Sequence, residues 1–131
     1  MVSDVAEVFL ERFSAHDVDS MVELFEEGGW FDCVALQLSG AATTVGSRFW
    51  RKVTDDYPDF TVTMNRLWSD VTGKAAFVDT TVKGAFPASG KGFENRQLYI
   101  FEGNGGGGII RLTCFGDRAD WLDAVERRLR G

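Results

Sequence analysis

At 131 residues the chain is sized for one domain, 1–131, since two would each be too small to bury a sizeable core. Apolar residues make up 44%, with 11 Phe and 4 Trp, which excludes disorder as the main state. Fourteen basic against 20 acidic residues leave a charge of −6, and basic residues cluster only at the last few positions, so nucleic-acid phosphate has no partner here.

No run nears the roughly 18 apolar residues that cross a bilayer, which excludes a membrane-spanning helix. The start, Met1-Val2-Ser3-Asp4, is acidic and soon amphipathic, unlike a secretion signal. Cys33 and Cys114 fit no metal-ligand spacing and read as free core thiols of a cytoplasmic protein.

Val5, Val8, Phe9 and Phe13 fall on one helical face, predicting a helix from Ser3 to about Ala15. Asp17 can cap a second helix by accepting from a first-turn amide. Its buried stripe is Val18, Met21, Val22 and Phe25, and Gly28-Gly29 stops it. The single histidine, His16, falls in the link between the two helices. From Trp30 the period becomes two: Trp30, Asp32, Val34, Leu36 and Leu38 share one side of a predicted strand. Helical spacing returns over Thr44–Tyr57 and ends at Pro58. Four strand-like runs follow, Phe60–Trp68, Ala75–Phe86, Phe93–Glu102 and Ile109–Phe115, the last two joined by the glycine-rich 103–108. That glycine run joins strand to strand, so it lacks the helix N-terminus that a phosphate-binding loop needs. A final helix runs from Asp117 through Trp121, Leu122, Val125 and Leu129, acidic at its start and basic at its end, as its dipole favours. Helices segregated from hairpin-linked strands indicate an α+β fold with a curved, mostly antiparallel sheet wrapped around helices.

The junction Ala15-His16-Asp17-Val18-Asp19, Leu24-Phe25, Val45-Gly46, Tyr57-Pro58-Asp59-Phe60, Ser89-Gly90-Lys91 and Phe115-Gly116-Asp117 occur in an order that resembles the NTF2-like superfamily, and within it the SnoaL-like branch. The resemblance covers about residues 4 to 125. It implies a cone-shaped α+β barrel open at one end, a pocket for a hydrophobic ligand, and a homodimer formed through the sheet. The superfamily includes enzymes, carriers and assembly domains on this one scaffold. SnoaL-type polyketide cyclases close a ring with an aspartate as general acid/base and no cofactor, and that aspartate aligns with Asp117. At the rim of an apolar cavity a carboxyl is desolvated and held ready for proton transfer. Asp117 is equally placed to cap the last helix.

Two further comparisons within the superfamily fit less well. Ketosteroid isomerases need a tyrosine, a base and a second acid where this chain carries Phe9, Cys33 and Gln97. Epoxide-hydrolase-like members need an Arg-x-Asp pair where it carries Asp79-Thr80-Thr81.

Asp32 is the other acid inside an apolar run and would assist Asp117 if its side of the strand faces inward. On the last two strands the odd-numbered side is taken as the cavity side, which makes Gln97, Tyr99 and Arg111 polar contacts and Phe115 an apolar one. Trp30, Trp50 and Trp68 read first as core residues, with Trp30 and Trp68 the aromatic candidates for ligand contact. The expected function is binding of a hydrophobic, oxygen-bearing small molecule, polyketide- or steroid-like, with cofactor-free cyclase or isomerase chemistry. The alternative is a non-catalytic ligand-binding or assembly domain.

Overall fold

A computed structural model describes residues 1–130. Helix α1 spans Val2–Ser14 and buries Ala6, Phe9, Leu10 and Phe13, the face that its apolar spacing defines. His16 turns the chain at φ 61° and donates from Nε2 to the Phe60 carbonyl at 2.8 Å, fixing the link. Asp17 caps α2 (Val18–Val22) through the Ser20 amide and hydroxyl.

The predicted second helix is longer than the one formed. Phe25 leaves it to pack its ring against Phe9 and Trp50, with centroids 6.1 and 5.6 Å apart. Strand β1 therefore begins at Phe25 and runs to Cys33. The alternation expected through Leu38 also breaks. Val34–Leu36 form a tight turn and Gln37 takes a left-handed conformation (φ 52°), after which β2 (Leu38–Ala41) folds back antiparallel on β1.

A wide helical turn, Ala42–Gly46, leads into α3 (Ser47–Asp56). Strands β3 (Thr61–Ser69), β4 (Ala75–Ala85), β5 (Gly92–Glu102) and β6 (Ile109–Gly116) follow, and α4 (Asp120–Arg130) closes the chain. The last helix starts three residues after Asp117, so Asp117 does not cap it.

The six strands form one curved, unclosed sheet in the order β2-β1-β6-β5-β4-β3, with β1–β6 the parallel pair. Its inner face carries Phe31, Cys33, Val62, Val78, Val82, Tyr99, Phe101 and Leu112, all buried, with α1 packed on β3, β4 and β5 and Phe31 against Phe49 and Trp50 of α3. Phe9 sits at the centre, edge-on to Phe13, Phe25, Trp50 and Phe101. Among the described residues no helix is long and apolar enough to cross a membrane.

Candidate functional site

Register assigns each side chain of the last strands to a face. Tyr99 pairs with Cys114 and Phe101 with Leu112, so odd residues of β5 share the inner face with even residues of β6. Gln97 and Tyr99 point inward, as the odd-side reading of β5 has it. The same reading of β6 is corrected: Arg111 and Phe115 lie on the outer face, across the sheet from Gln97 and Tyr99. Numbering parity does not carry from one strand to the next; hydrogen-bond register decides it.

Asp32 also faces outward, because Phe31 and Cys33 take the inner side of β1. It forms a polar cluster there. Arg111 pairs with it at 2.6 Å, the Ser39 hydroxyl donates to it at 2.5 Å, and the Trp30 indole donates to Ser39 at 3.0 Å. Burial pushes the Asp32 carboxyl up, but the Ser39 and Arg111 hydrogen bonds and the Arg111 charge outweigh it and hold the group below the ordinary carboxylate range. A carboxylate held ionised by an arginine is poorly suited to give and retake a proton near neutrality. An open hollow of about 370 Å³ lies beside this cluster, with Gln37 and Thr113 in its wall.

Strand β6 stops at Gly116, opposite Gln97, while β5 continues back to Gly92, leaving a notch in the sheet. A shallow depression of about 520 Å³ lies beside it, mainly on the outer face, lined by Asp79, Arg96, Gln97, Leu98, Phe115 and Asp117 among others. Three sequence-predicted residues, Gln97, Phe115 and Asp117, therefore meet. Asp117 is exposed, and water is not excluded from its carboxylate. Arg96 reaches across the outer face to pair with Asp79. Trp68 lies on the outer face beside Phe77, 47% exposed beneath the Arg66 guanidinium.

Behind the notch lies a packed aromatic cluster of Tyr57, Phe60, Phe93 and Trp121, with Tyr57, Phe60 and Trp121 buried. The Tyr57 hydroxyl donates to the Trp121 carbonyl at 2.9 Å, and the Trp121 indole donates to Asn95 Oδ1 at 3.0 Å. Burial first, then the neighbouring Asp56 carboxylate, raises Tyr57 above the ordinary phenol range, so it keeps the proton it donates. Thr80 donates to the Gln97 carbonyl, while the Gln97 side-chain amide and the Tyr99 hydroxyl take no part in these bonds. Burial likewise pushes Tyr99 and Cys114 well up and Cys33 up, so the inner polar groups are neutral at physiological pH. Phe9, Cys33 and Gln97, at the isomerase positions, all face the interior and include no carboxylate. Trp121 was legible only as part of a buried helical stripe; its place against Asn95 depends on how α4 docks.

A family profile for the SnoaL-like domain matches residues 6–112. None of the curated proteins matches the chain in sequence. The fold is similar to a protein from Xanthomonas campestris pv. campestris provisionally described as a polyketide cyclase, with TM-score 0.80, 18% identity, and 94% of this chain and 95% of that one covered. It is also similar to a hypothetical protein of ketosteroid isomerase-like fold from Catenulispora acidiphila, solved with trimethylamine, with TM-score 0.79, 11% identity and coverage of 93% and 92%. AusH from Aspergillus nidulans aligns with TM-score 0.76, 17% identity and coverage of 89% and 86%.

Proposed function

The chain belongs to the SnoaL-like family, and on that premise we propose that it binds a hydrophobic, oxygen-bearing small molecule, polyketide- or steroid-like, among the aromatic rings on the inner side of the notch, holding the ligand rather than converting it. One observation supports the holding role above others. The polar groups facing the interior here, Asn95, Gln97, Tyr99 and Cys114, are all uncharged hydrogen-bonding groups set among aromatic rings. Such a lining suits ketone and hydroxyl oxygens on an apolar skeleton. Cyclase chemistry has one specific point in its favour, the presence of Asp117 in the notch beside Gln97.

A thermal-shift screen with polycyclic aromatic ketones, followed by product analysis of every hit, tests this reading. A ligand at 100 times its Kd stabilises the fold by about 2.7 kcal/mol. Gln97→Ala should weaken binding about 10-fold, the loss of one good hydrogen bond to ligand. Asp117→Asn should leave both affinity and thermal midpoint unchanged. Turnover that disappears in Asp117→Asn would replace the holding role with acid/base catalysis.

The outer face is the proposed contact with a second copy. Trp68, Phe77 and Ile100 form one row across β3, β4 and β5, and Leu98 with Phe115 forms the next. Trp68, Phe77 and Phe115 are 47%, 37% and 39% exposed, a contiguous apolar patch of the kind that marks an interface. Charges of both signs flank it, Asp79 and Arg96 on one side, Asp32 and Arg111 on the other, as a self-matching twofold surface requires. Sedimentation equilibrium should give twice the 14.5 kDa chain mass, and Phe77→Lys should give a folded monomer. A wild-type mass of one chain would refute the dimer.

A further inference from the structure

Helix α4 is the last element of the described chain and is joined to the sheet by 117–119, which have no regular structure. Its buried face is Trp121, Leu122 and Val125, and it seats on α3 and the Val34–Leu36 turn. Outside that face it is held by half-exposed or exposed arginines: Arg118 to the Ala35 carbonyl, Arg48 to the Leu129 carbonyl, and Arg128 to Asp56.

Within the aromatic cluster, Trp121 makes the contacts a flat bound molecule would make. Its indole stacks on Phe93, centroids 5.4 Å apart and planes within 6° of parallel, and meets Tyr57 edge-on at 79°. One edge donates to Asn95, while its backbone carbonyl accepts from the Tyr57 hydroxyl. The seated helix also leaves a defect: Asp56 Oδ2 is buried with no hydrogen-bond partner, although Arg128 approaches the other oxygen at 3.2 Å. Water would reach that oxygen once α4 lifts, so the closed arrangement carries a cost that opening relieves.

The geometry points to Trp121 as an internal stand-in for ligand, with α4 a plug that a planar, fused-ring molecule bearing a hydrogen-bond donor and an acceptor displaces from the Phe93–Asn95–Tyr57 slot. This rests on the ligand-binding reading and adds to it the slot, the shape of the ligand and the element that competes for it. The free protein is mostly closed, and apparent affinity is reduced by the fraction that is open.

The probe is 1,8-dihydroxyanthraquinone, a fused-ring hydroxyketone. In protein labelled with 5-fluorotryptophan, the Trp121 ¹⁹F resonance, assigned by its loss in Trp121→Phe, should shift away from its unliganded position as probe is added. Trp121→Ala should bind the probe about 10-fold more tightly than wild type. Hydrogen exchange of the unliganded wild type requires no variant, and α4 amides should exchange at least 10-fold faster than those of β5. Binding with the Trp121 resonance unmoved, or no gain in Trp121→Ala, overturns the plug and leaves ligand binding intact. Equal protection of α4 and β5 overturns it as well. Absence of binding to both wild type and Trp121→Ala overturns the ligand-binding reading, and the plug falls with it.

Discussion

Phe9→Ala is expected to destabilise the fold by about 3–5 kcal/mol, the range for deleting a large ring from a packed core. Phe9 is fully buried and contacts four other rings, with centroids to Trp50 and Phe101 both at 5.4 Å. Those partners come from β1, α3, β5 and α1 itself, so the vacated volume cannot be filled by movement of one element. The loss combines removed apolar contact with a residual cavity. Urea unfolding should show a lower midpoint with an unchanged slope. A cost below about 1 kcal/mol would mean that the interior repacks around the gap and is less rigid than the ring geometry implies.

The second large effect is electrostatic and depends on pH. Asp32→Asn should cost about 1–2 kcal/mol at pH 7, the scale of hydrogen bonds to a charged group discounted for the exposure of Arg111 and Ser39. The Asp32 side chain is 16% exposed, so solvent screens its pair with Arg111 only partly. Its carboxyl lies below the unfolded value of 3.8, so the folded state favours the ionised form. The stabilisation is fully present above that unfolded value and is lost as pH falls through the lower folded value. The difference between wild type and Asp32→Asn should therefore shrink in urea titrations near pH 3 relative to pH 7. A gap of equal size at both pH values would show that the charge contributes nothing and that packing alone is lost.

What could be read from the chain was whatever local periodicity encodes. The faces of α1 and α3 and the spans of β3 to β6 follow from apolar spacing, and Asp17 caps where its carboxylate predicts. The β1–β2 hairpin was not legible, because Gln37 takes the left-handed turn position without the glycine or asparagine that normally marks it. The short motif Val45-Gly46 was legible as a pattern and is explained by packing. A Cβ on Gly46 would lie 2.8 Å from the Trp50 ring, and Val45 fills the space over Gly40, where a Cβ would meet it at 2.3 Å. Gln97 lies on the inner face that its parity predicts and Arg111 does not, since the alternation within one strand is local but the pairing between strands is set by tertiary register. Trp121 was legible as a buried helix residue but its partners were not, because they come from the α3–β3 link (Tyr57 and Phe60) and from β5 (Phe93).

The parallel pairing of β1 with β6 also governs when this protein can fold. Phe25 lies beside Ile109 and Cys33 beside Cys114, so the middle of the sheet joins an early stretch of the polypeptide to a very late one. During synthesis β1 is left without its principal neighbour until residues 109–116 have left the ribosome. Such long-range closure slows folding relative to helical domains of similar size. In the interval the N-terminal segment carries its phenylalanine-rich surface unburied, which makes nascent chains stalled before residue 109 the aggregation-prone form of this protein.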